Sequence, residues 1–300
     1  MDMKKLTLAV LVAVLVVAAF SLVAAFGDGA VLRLGIFTDL HAHDTDSPTE
    51  GKFMTEYPAR LTACIEAMNA WPADLVIELG DFVNGNFVVG APLGDPARIP
   101  GILDKAEAIY AQFDGPRYYV LGNHDVYDLS KDEFLSHTGA AWTYGSFDAG
   151  AYHFVILDAQ YDKKGKDLSH AGWVVQGNIP QAERDWLAAD LAQTDRPTIV
   201  CVHQRLDVDH DFLSGGGPEI IGNKLVQEIL EDAGVVIAVF QGHEHKNAHT
   251  VINGIHYITF DQLTDEDESK PSWAYVTLDP AARTIDIKGA GDQADWHLEY

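Results

Sequence analysis

Cysteine is nearly missing: Cys64 and Cys201 are the only two in 300 residues. No CxxC pair exists, which excludes a thiolate-built structural zinc site and dithiol redox chemistry. Both cysteines sit among apolar neighbours and read as buried free thiols, with a single disulfide as the alternative. Basic residues are scarce as well. Lys and Arg number 20 against 45 Asp and Glu, a formal charge of -25, which argues against nucleic-acid backbones and anionic membrane surfaces as partners. The acid excess fits either a salty habitat or ordinary solubility through surface charge. Apart from one amino-terminal stretch, no apolar run is long enough to span a bilayer. No internal repeat and no linker is seen.

That one stretch stands out. Met1–Lys5 carries two lysines, and Leu6–Phe26 is apolar apart from Thr7 and Ser21. Residues 1–26 therefore read as a secretory signal sequence or an uncleaved N-terminal membrane anchor, with Val23-Ala24-Ala25 as the cleavage region. Export is expected, to a periplasmic, extracellular or membrane-anchored location. Any membrane association would run through this segment alone. Residues 31–300 are expected to form a single α/β domain. Hydrophobic content of 47% supports a large core, and short apolar runs alternate with amphipathic stretches.

Strands are expected at Val31–Thr38, Asp74–Leu79, Arg117–Leu121, Ala151–Leu157, Thr198–Val202 and Val235–Phe240. Helical spacing marks Tyr57–Asn69, Ile102–Phe113, Leu129–Thr138, Gln181–Leu191 and Lys224–Ala233. Gly85–Pro100 and Asp158–Ser169 read as loops, and Gly215-Gly216-Gly217 as a flexible turn. Thr250–Ile252 and Ile255–Phe260 flank Asn253-Gly254, a strong hairpin signal. Trp273–Leu278 and Thr284–Lys288 make a second pair. The last third is thus expected to add antiparallel strands to a mixed sheet.

Five polar clusters follow five of these apolar runs: Asp39-Leu40-His41, Gly80-Asp81, Gly122-Asn123-His124-Asp125, His203 and Gly242-His243-Glu244-His245. Carboxyl ends of strands are where open α/β sheets build ligand sites. Asp39 and His41 would share a side of an extended strand. Two carboxylates, one amide oxygen and four imidazoles suit a pair of borderline divalent ions such as Mn, Fe, Co, Ni or Zn, rather than Ca. His124 directly follows Asn123, so its side chain should point away from the ligands. Oriented by Asp125 or another carboxylate, it would protonate a leaving oxygen or stabilise a transferring phosphoryl group.

Taken singly, an aspartate after a strand is a turn or cap residue and a lone histidine is structural. Five clusters at five strand ends overturn that reading jointly. His43, His137, His153, His170, His210, His249, His256 and His297 lack such context. A metal-holding scaffold without turnover would lack His124 or part of the ligand set, and both are present.

The ordered set Asp39-x-His41, Gly80-Asp81, Gly122-Asn123-His124-Asp125, His203 and Gly242-His243-x-His245 resembles the calcineurin-like metallophosphoesterase pattern over residues 31–260. The resemblance implies a four-layer α/β/β/α sandwich of two mixed sheets flanked by helices. It implies one ion on Asp39, His41, Asp81 and His245, and a second on Asp81, Asn123, His203 and His243. It also implies a hydroxide bridging the metals as nucleophile, with His124 and Asp125 as the catalytic side chains. Pro180–Leu191, Lys224–Ala233 and Val239–Lys246 resemble the manganese-dependent ADP-ribose/CDP-alcohol diphosphatase branch and the neighbouring cyclic-nucleotide phosphodiesterases. Val83 and Asn84 follow Asp81 where purple acid phosphatases place an iron-ligating tyrosine, so a ferric site is not expected. The expected substrate is a small phosphomonoester or phosphodiester, with an ADP-ribose/CDP-alcohol-type diphosphate or a cyclic nucleotide as the alternatives. Phe87, Tyr127, Tyr161 and Trp173 are candidate walls for a base.

Overall fold

The computed structural model describes residues 29–46, 53–88, 91–172, 174–209, 219–264 and 271–300. The amino-terminal export segment, the glycine triplet 215–217, His210 and Trp173 lie outside the described residues, as does the side chain of Phe87. In chain order the elements begin with β1 (Leu32–Phe37), α1 (Tyr57–Ala70), β2 (Leu75–Glu78), β3 (Phe87–Val88) and β4 (Ala91–Pro92). They continue with α2 (Ile99–Tyr110), β5 (Arg117–Tyr119), α3 (Lys131–Thr138), β6 (Gly145–Ala149), β7 (Tyr152–Ile156) and β8 (Gly177–Asn178). Next come α4 (Gln181–Leu191), β9 (Thr198–Cys201), β10 (Ile220–Ile221), α5 (Asn223–Ala233) and β11 (Val236–Gln241). Last are β12 (Ala248–Ile252), β13 (Ile255–Thr259), β14 (Trp273–Asp279), β15 (Thr284–Ala290) and β16 (Trp296–Glu299).

Two six-stranded mixed sheets carry the fold. The first has the order β16-β15-β14-β1-β2-β5, the second β12-β13-β11-β9-β7-β6. Within them β1, β2 and β5 run parallel, as do β7, β9, β11 and β13. Three apolar layers follow from this arrangement. Leu34, Ile36, Ile77, Phe154, Ile199 and Phe240 fill the space between the sheets. Leu61, Ile65, Leu103 and Phe134 press α1, α2 and α3 onto the first sheet. Leu187, Leu191, Val226 and Leu230 press α4 and α5 onto the second. β2, β9 and β11 are buried along their whole length, which is why they read as almost unbroken apolar runs. This is the four-layer α/β/β/α sandwich.

Local chemistry sets the ends of the elements. Ser130 and Glu133 form a reciprocal capping box at the start of α3, and Gly139 ends that helix at φ 71°. Ile252 pairs with Ile255, so Asn253 and Gly254 make a two-residue turn with φ of 51° and 87°. α2 starts at Ile99 rather than Ile102, because Pro100 occupies its first turn, where a missing N–H costs nothing. Cys64 and Cys201 are both free and buried.

The strands of the last third do not join one sheet. β12 and β13 extend the second sheet, while β14, β15 and β16 extend the first. Two edge strands, β6 and β16, escape sequence reading because each buries little of its length: only Ala149 in one and Leu298 in the other.

Candidate metal centre

Parallel strands bring their carboxyl ends to one edge, and the five clusters meet there. Asp39 and His41 follow β1, Asp81 follows β2, and Asn123 and His124 follow β5, all from the first sheet. His203 follows β9, and His243 and His245 follow β11, from the second. Six of the seven proposed ligands, all but Asn123, fall into groups whose ligand atoms lie within 4.8 Å of one another. Asp39 and His41 do not share a face by strand alternation, because β1 has ended at Phe37. Each instead takes a left-handed backbone, with φ of 53° and 47°. Asp81, His243 and His245 do the same, at 58°, 72° and 53°. Such conformations cost about 1–3 kcal/mol each and persist only where the surroundings enforce them. Here cross-loop bonds enforce them: Asp39 N–H donates to Gly80 O at 2.9 Å and His41 N–H to Asp81 O at 2.8 Å. Two glycines permit the close approach. A Cβ on Gly122 would lie 2.1 Å from Asp81 Oδ1, and one on Gly242 would lie 2.1 Å from Thr38 Oγ1.

Outer hydrogen bonds aim each ligand atom. Asp39 Oδ2 accepts from Thr38 Oγ1 at 2.6 Å and from His243 N–H at 3.0 Å. Its Oδ1 is left 3.1 Å from His245 Nε2 and 3.5 Å from His41 Nε2. Asp81 Oδ1 accepts from His124 N–H at 2.8 Å. Its Oδ2 lies 3.1 Å from His203 Nε2 and 3.7 Å from His41 Nε2. One carboxylate oxygen thus faces both halves of the site. His41 Nδ1 meets Asn84 Oδ1 at 2.9 Å, and His203 Nδ1 meets the Leu79 carbonyl at 2.8 Å. An amide or carbonyl oxygen only accepts, so each Nδ1 carries a hydrogen and each Nε2 is the atom turned inward, able to bind a cation once it has shed any proton of its own.

Ring nitrogens then crowd together. His41 Nε2 and His245 Nε2 are 3.0 Å apart, and His203 Nε2 and His243 Nδ1 are 3.3 Å apart. Asp39 Oδ1 and Asn123 Oδ1 are buried without a hydrogen bond. Converging lone pairs and orphaned oxygens fit cations. Among the described residues three ligand triplets emerge: Asp39 with His41 and His245, His41 with Asp81 and His124, and Asp81 with His203 and His243. Asp81 belongs to two of the three, and together the groups form a dinuclear metal-binding site.

Electrostatics agrees. Burial opposes the charge of Asp39, but the imidazoles of His245 and His203 hold its carboxyl well below the usual range. Asp81 is lowered likewise, with burial overcome by His203 and His124. Burial also opposes the imidazolium of His203, yet Asp81 and Asp39 push it up to about 10. His243, buried and beside His203, falls to about 3.

The two proposed catalytic side chains depart from expectation in different ways. His124 does not turn away from the ligands. Its ring lies 4.6 Å from that of His41, and its Nε2 lies 4.0 Å from Asp81 Oδ2. Asp125 does not orient it. The His124 Nδ1 partner is the Asn84 carbonyl at 2.7 Å. Asp125 lies beneath the loops, accepting from Asp81 N–H at 3.0 Å, Gly122 N–H at 2.9 Å and Val83 N–H at 2.9 Å. The tight turn His124–Val126 rotates neighbouring side chains roughly 120° apart, which separates the two. Burial and then the Asp81 charge push the Asp125 carboxyl up to about 8.

Asn84 and Glu78 are site residues that sequence reading missed. Asn84 holds both His41 and His124, and Glu78 Oε1 accepts from Gly80 N–H at 2.7 Å. The only sequence signal was a polar residue embedded in an otherwise apolar strand or loop. Of the proposed base walls, Tyr127 lies at the site, its ring 4.4 Å from that of His124. Tyr161 instead lies under Lys131 Nζ at 3.3 Å.

Comparisons with known proteins agree with this geometry. The family model for calcineurin-like phosphoesterases matches residues 32–247. A manganese-dependent ADP-ribose/CDP-alcohol diphosphatase of Oryza sativa subsp. japonica is 23% identical over 68% of this chain and 73% of its own. A protein of the same name from Arabidopsis thaliana is 20% identical over 68% of this chain and 75% of its own. Among solved structures, a dimetal phosphatase from Danio rerio superposes with a TM-score of 0.73. It shares 17% identity and covers 90% of this chain and 99% of that one.

Proposed function

Because the chain belongs to the calcineurin-like phosphoesterase family and is a metal-dependent hydrolase of phosphate esters, we propose that it acts outside the cytoplasm on small phosphomonoesters or phosphodiesters. The carrying observation is Asp81 Oδ2, which faces His203 at 3.1 Å and His41 at 3.7 Å. A carboxylate so placed serves two ions at once. Asp39, His41 and His245 complete one position with it, and Asn123, His203 and His243 complete the other. Two divalent ions, manganese first, would polarise the phosphoryl oxygens and acidify water there. They would also supply the positive charge that a chain of net -25 otherwise lacks for an anionic substrate.

The chain's own residues do the rest. Asn84 fixes the hydrogen of His124 on Nδ1, so Nε2 is the atom presented to substrate, at the mouth of the site. With a second proton taken from solvent on Nε2, the imidazolium gives that proton to the leaving oxygen or hydrogen-bonds the phosphoryl group. The buried donors around Asp39 and Asp81 keep both carboxylates in one orientation, so little reorganisation is needed as charge shifts. The export reading rests on the lysines and apolar run of residues 1–26.

A second reading, a diphosphatase cleaving ADP-ribose-like compounds, is favoured by the two diphosphatase relatives. One panel separates them: p-nitrophenyl phosphate, bis-p-nitrophenyl phosphate, cyclic AMP and ADP-ribose, assayed with manganese-loaded protein. Preferred turnover of the two p-nitrophenyl substrates supports the leading proposal, preferred turnover of ADP-ribose replaces it with the second, and preferred turnover of cyclic AMP replaces it with a cyclic-nucleotide phosphodiesterase. No turnover of any of the four, with two ions bound, sinks both.

A further inference from the structure

Asn123 presents an amide whose two ends are nearly the same shape, yet only the oxygen end can bind a cation. Something must choose between them. Its Nδ2 lies 2.6 Å from the hydroxyl oxygen of Tyr127, and that hydroxyl lies 3.4 Å from the Val174 carbonyl. In this arrangement the hydroxyl donates to that carbonyl, which can only accept. The phenolic oxygen then shows Asn123 lone pairs alone, and only an N–H end can meet them. Oδ1 is thereby turned the other way, where it is buried with no hydrogen bond.

We propose that Tyr127 is a positioning residue: its hydroxyl, polarised by the Val174 carbonyl, fixes the Asn123 side chain with oxygen toward the second ion. This rests on the two-ion reading of the site. Tyr127 is almost wholly buried, and its ring packs against His124 at 4.4 Å. Phenylalanine would keep that packing and remove only the hydroxyl. Without it, the amide nitrogen would be free to face the ion for part of the time, and the ion would be held more weakly. Partners of this kind alter metal affinity by about 10- to 100-fold.

The test is a manganese titration of metal-free protein, followed by electron paramagnetic resonance so that mononuclear and exchange-coupled Mn(II) are counted separately. Y127F should bind its second Mn(II) about 10- to 100-fold more weakly than wild type, with the first little changed. The decisive control is N123D, whose carboxylate offers oxygen at both ends and has no orientation to select. In that background Y127F should cost almost nothing, a result that a mere packing role would not produce. Melting curves of each metal-free variant establish that it is folded. The assignment is overturned if Y127F binds the second ion as tightly as wild type, or loses as much in the N123D background as it does alone. A wild type that takes up only one ion overturns the two-ion reading itself, and this assignment with it.

Discussion

The side-chain oxygen of Asn84 lies 2.9 Å from Nδ1 of His41. The same residue reaches His124 through its backbone carbonyl at 2.7 Å, so one loop residue orients a metal ligand and the proposed proton donor. N84A removes only the first contact. His41 can then shift its hydrogen to Nε2, and affinity for the first ion should fall about 10- to 100-fold. N84D, which keeps an acceptor, should retain it. Calorimetric titration with Mn(II) checks both, and unchanged affinity in N84A would remove the role.

Metal uptake should depend on pH, with a definite sign. Burial works against the His203 imidazolium, but Asp81 and Asp39 raise it to about 10. The proton therefore stays on the metal-free site through the neutral range, and an ion must expel it. Apparent manganese affinity should rise about tenfold per pH unit between about pH 6 and pH 8 for each proton displaced. The same shift stabilises the metal-free protein fully below the unfolded value near 6.5, and that contribution disappears as pH climbs through about 10. A pH-independent binding constant would contradict it.

Asp125 should matter to folding rather than to His124. Replacing it by alanine strands three buried backbone N–H groups, those of Asp81, Val83 and Gly122. At about 1–3 kcal/mol for each stranded donor, D125A should cost about 3 kcal/mol or more. That lowers the melting temperature by roughly 10 °C for a domain of this size. Residual activity in the folded fraction should keep the wild-type pH profile. A D125A protein that melts normally but shows an altered profile would return Asp125 to the catalytic role expected from sequence.

Salt should stabilise this chain. A net charge of -25 repels itself, and raising ionic strength from about 0.01 M to about 1 M cuts the screening length from about 30 Å to about 3 Å. The melting temperature of the metal-free protein should climb over that range in sodium chloride. A flat or falling curve would leave solubility as the only use of the acid excess.

The candidate ligands were legible because each ends an apolar run: Val31–Thr38 announces Asp39 and His41, and Val235–Phe240 announces His243 and His245. Burial on both sheet faces writes that run into the sequence. The partners that aim the ligands left no such mark. Asn84 and Asp125 act through a carbonyl, a side-chain oxygen and backbone N–H groups on partners 40 or more residues away in sequence. The edge strands β6 and β16 were hidden because a strand buried on one short face carries too few apolar residues to register.

The amino-acid sequence by itself determined the inner strands, the helices packed on them, the Asn253-Gly254 turn and the donor set, since hydrophobic period, turn chemistry and ligand type are local properties. Only the tertiary structure decided that β12 and β13 pair in one sheet while β14, β15 and β16 pair in the other. Only it placed His124 beside His41 and Asp81, and Asp125 beneath the loops that carry them. Strand partners and side-chain direction depend on contacts between residues far apart in the chain, and on left-handed turns at Asp39, His41 and Asp81 that the surrounding loops impose and no local preference encodes.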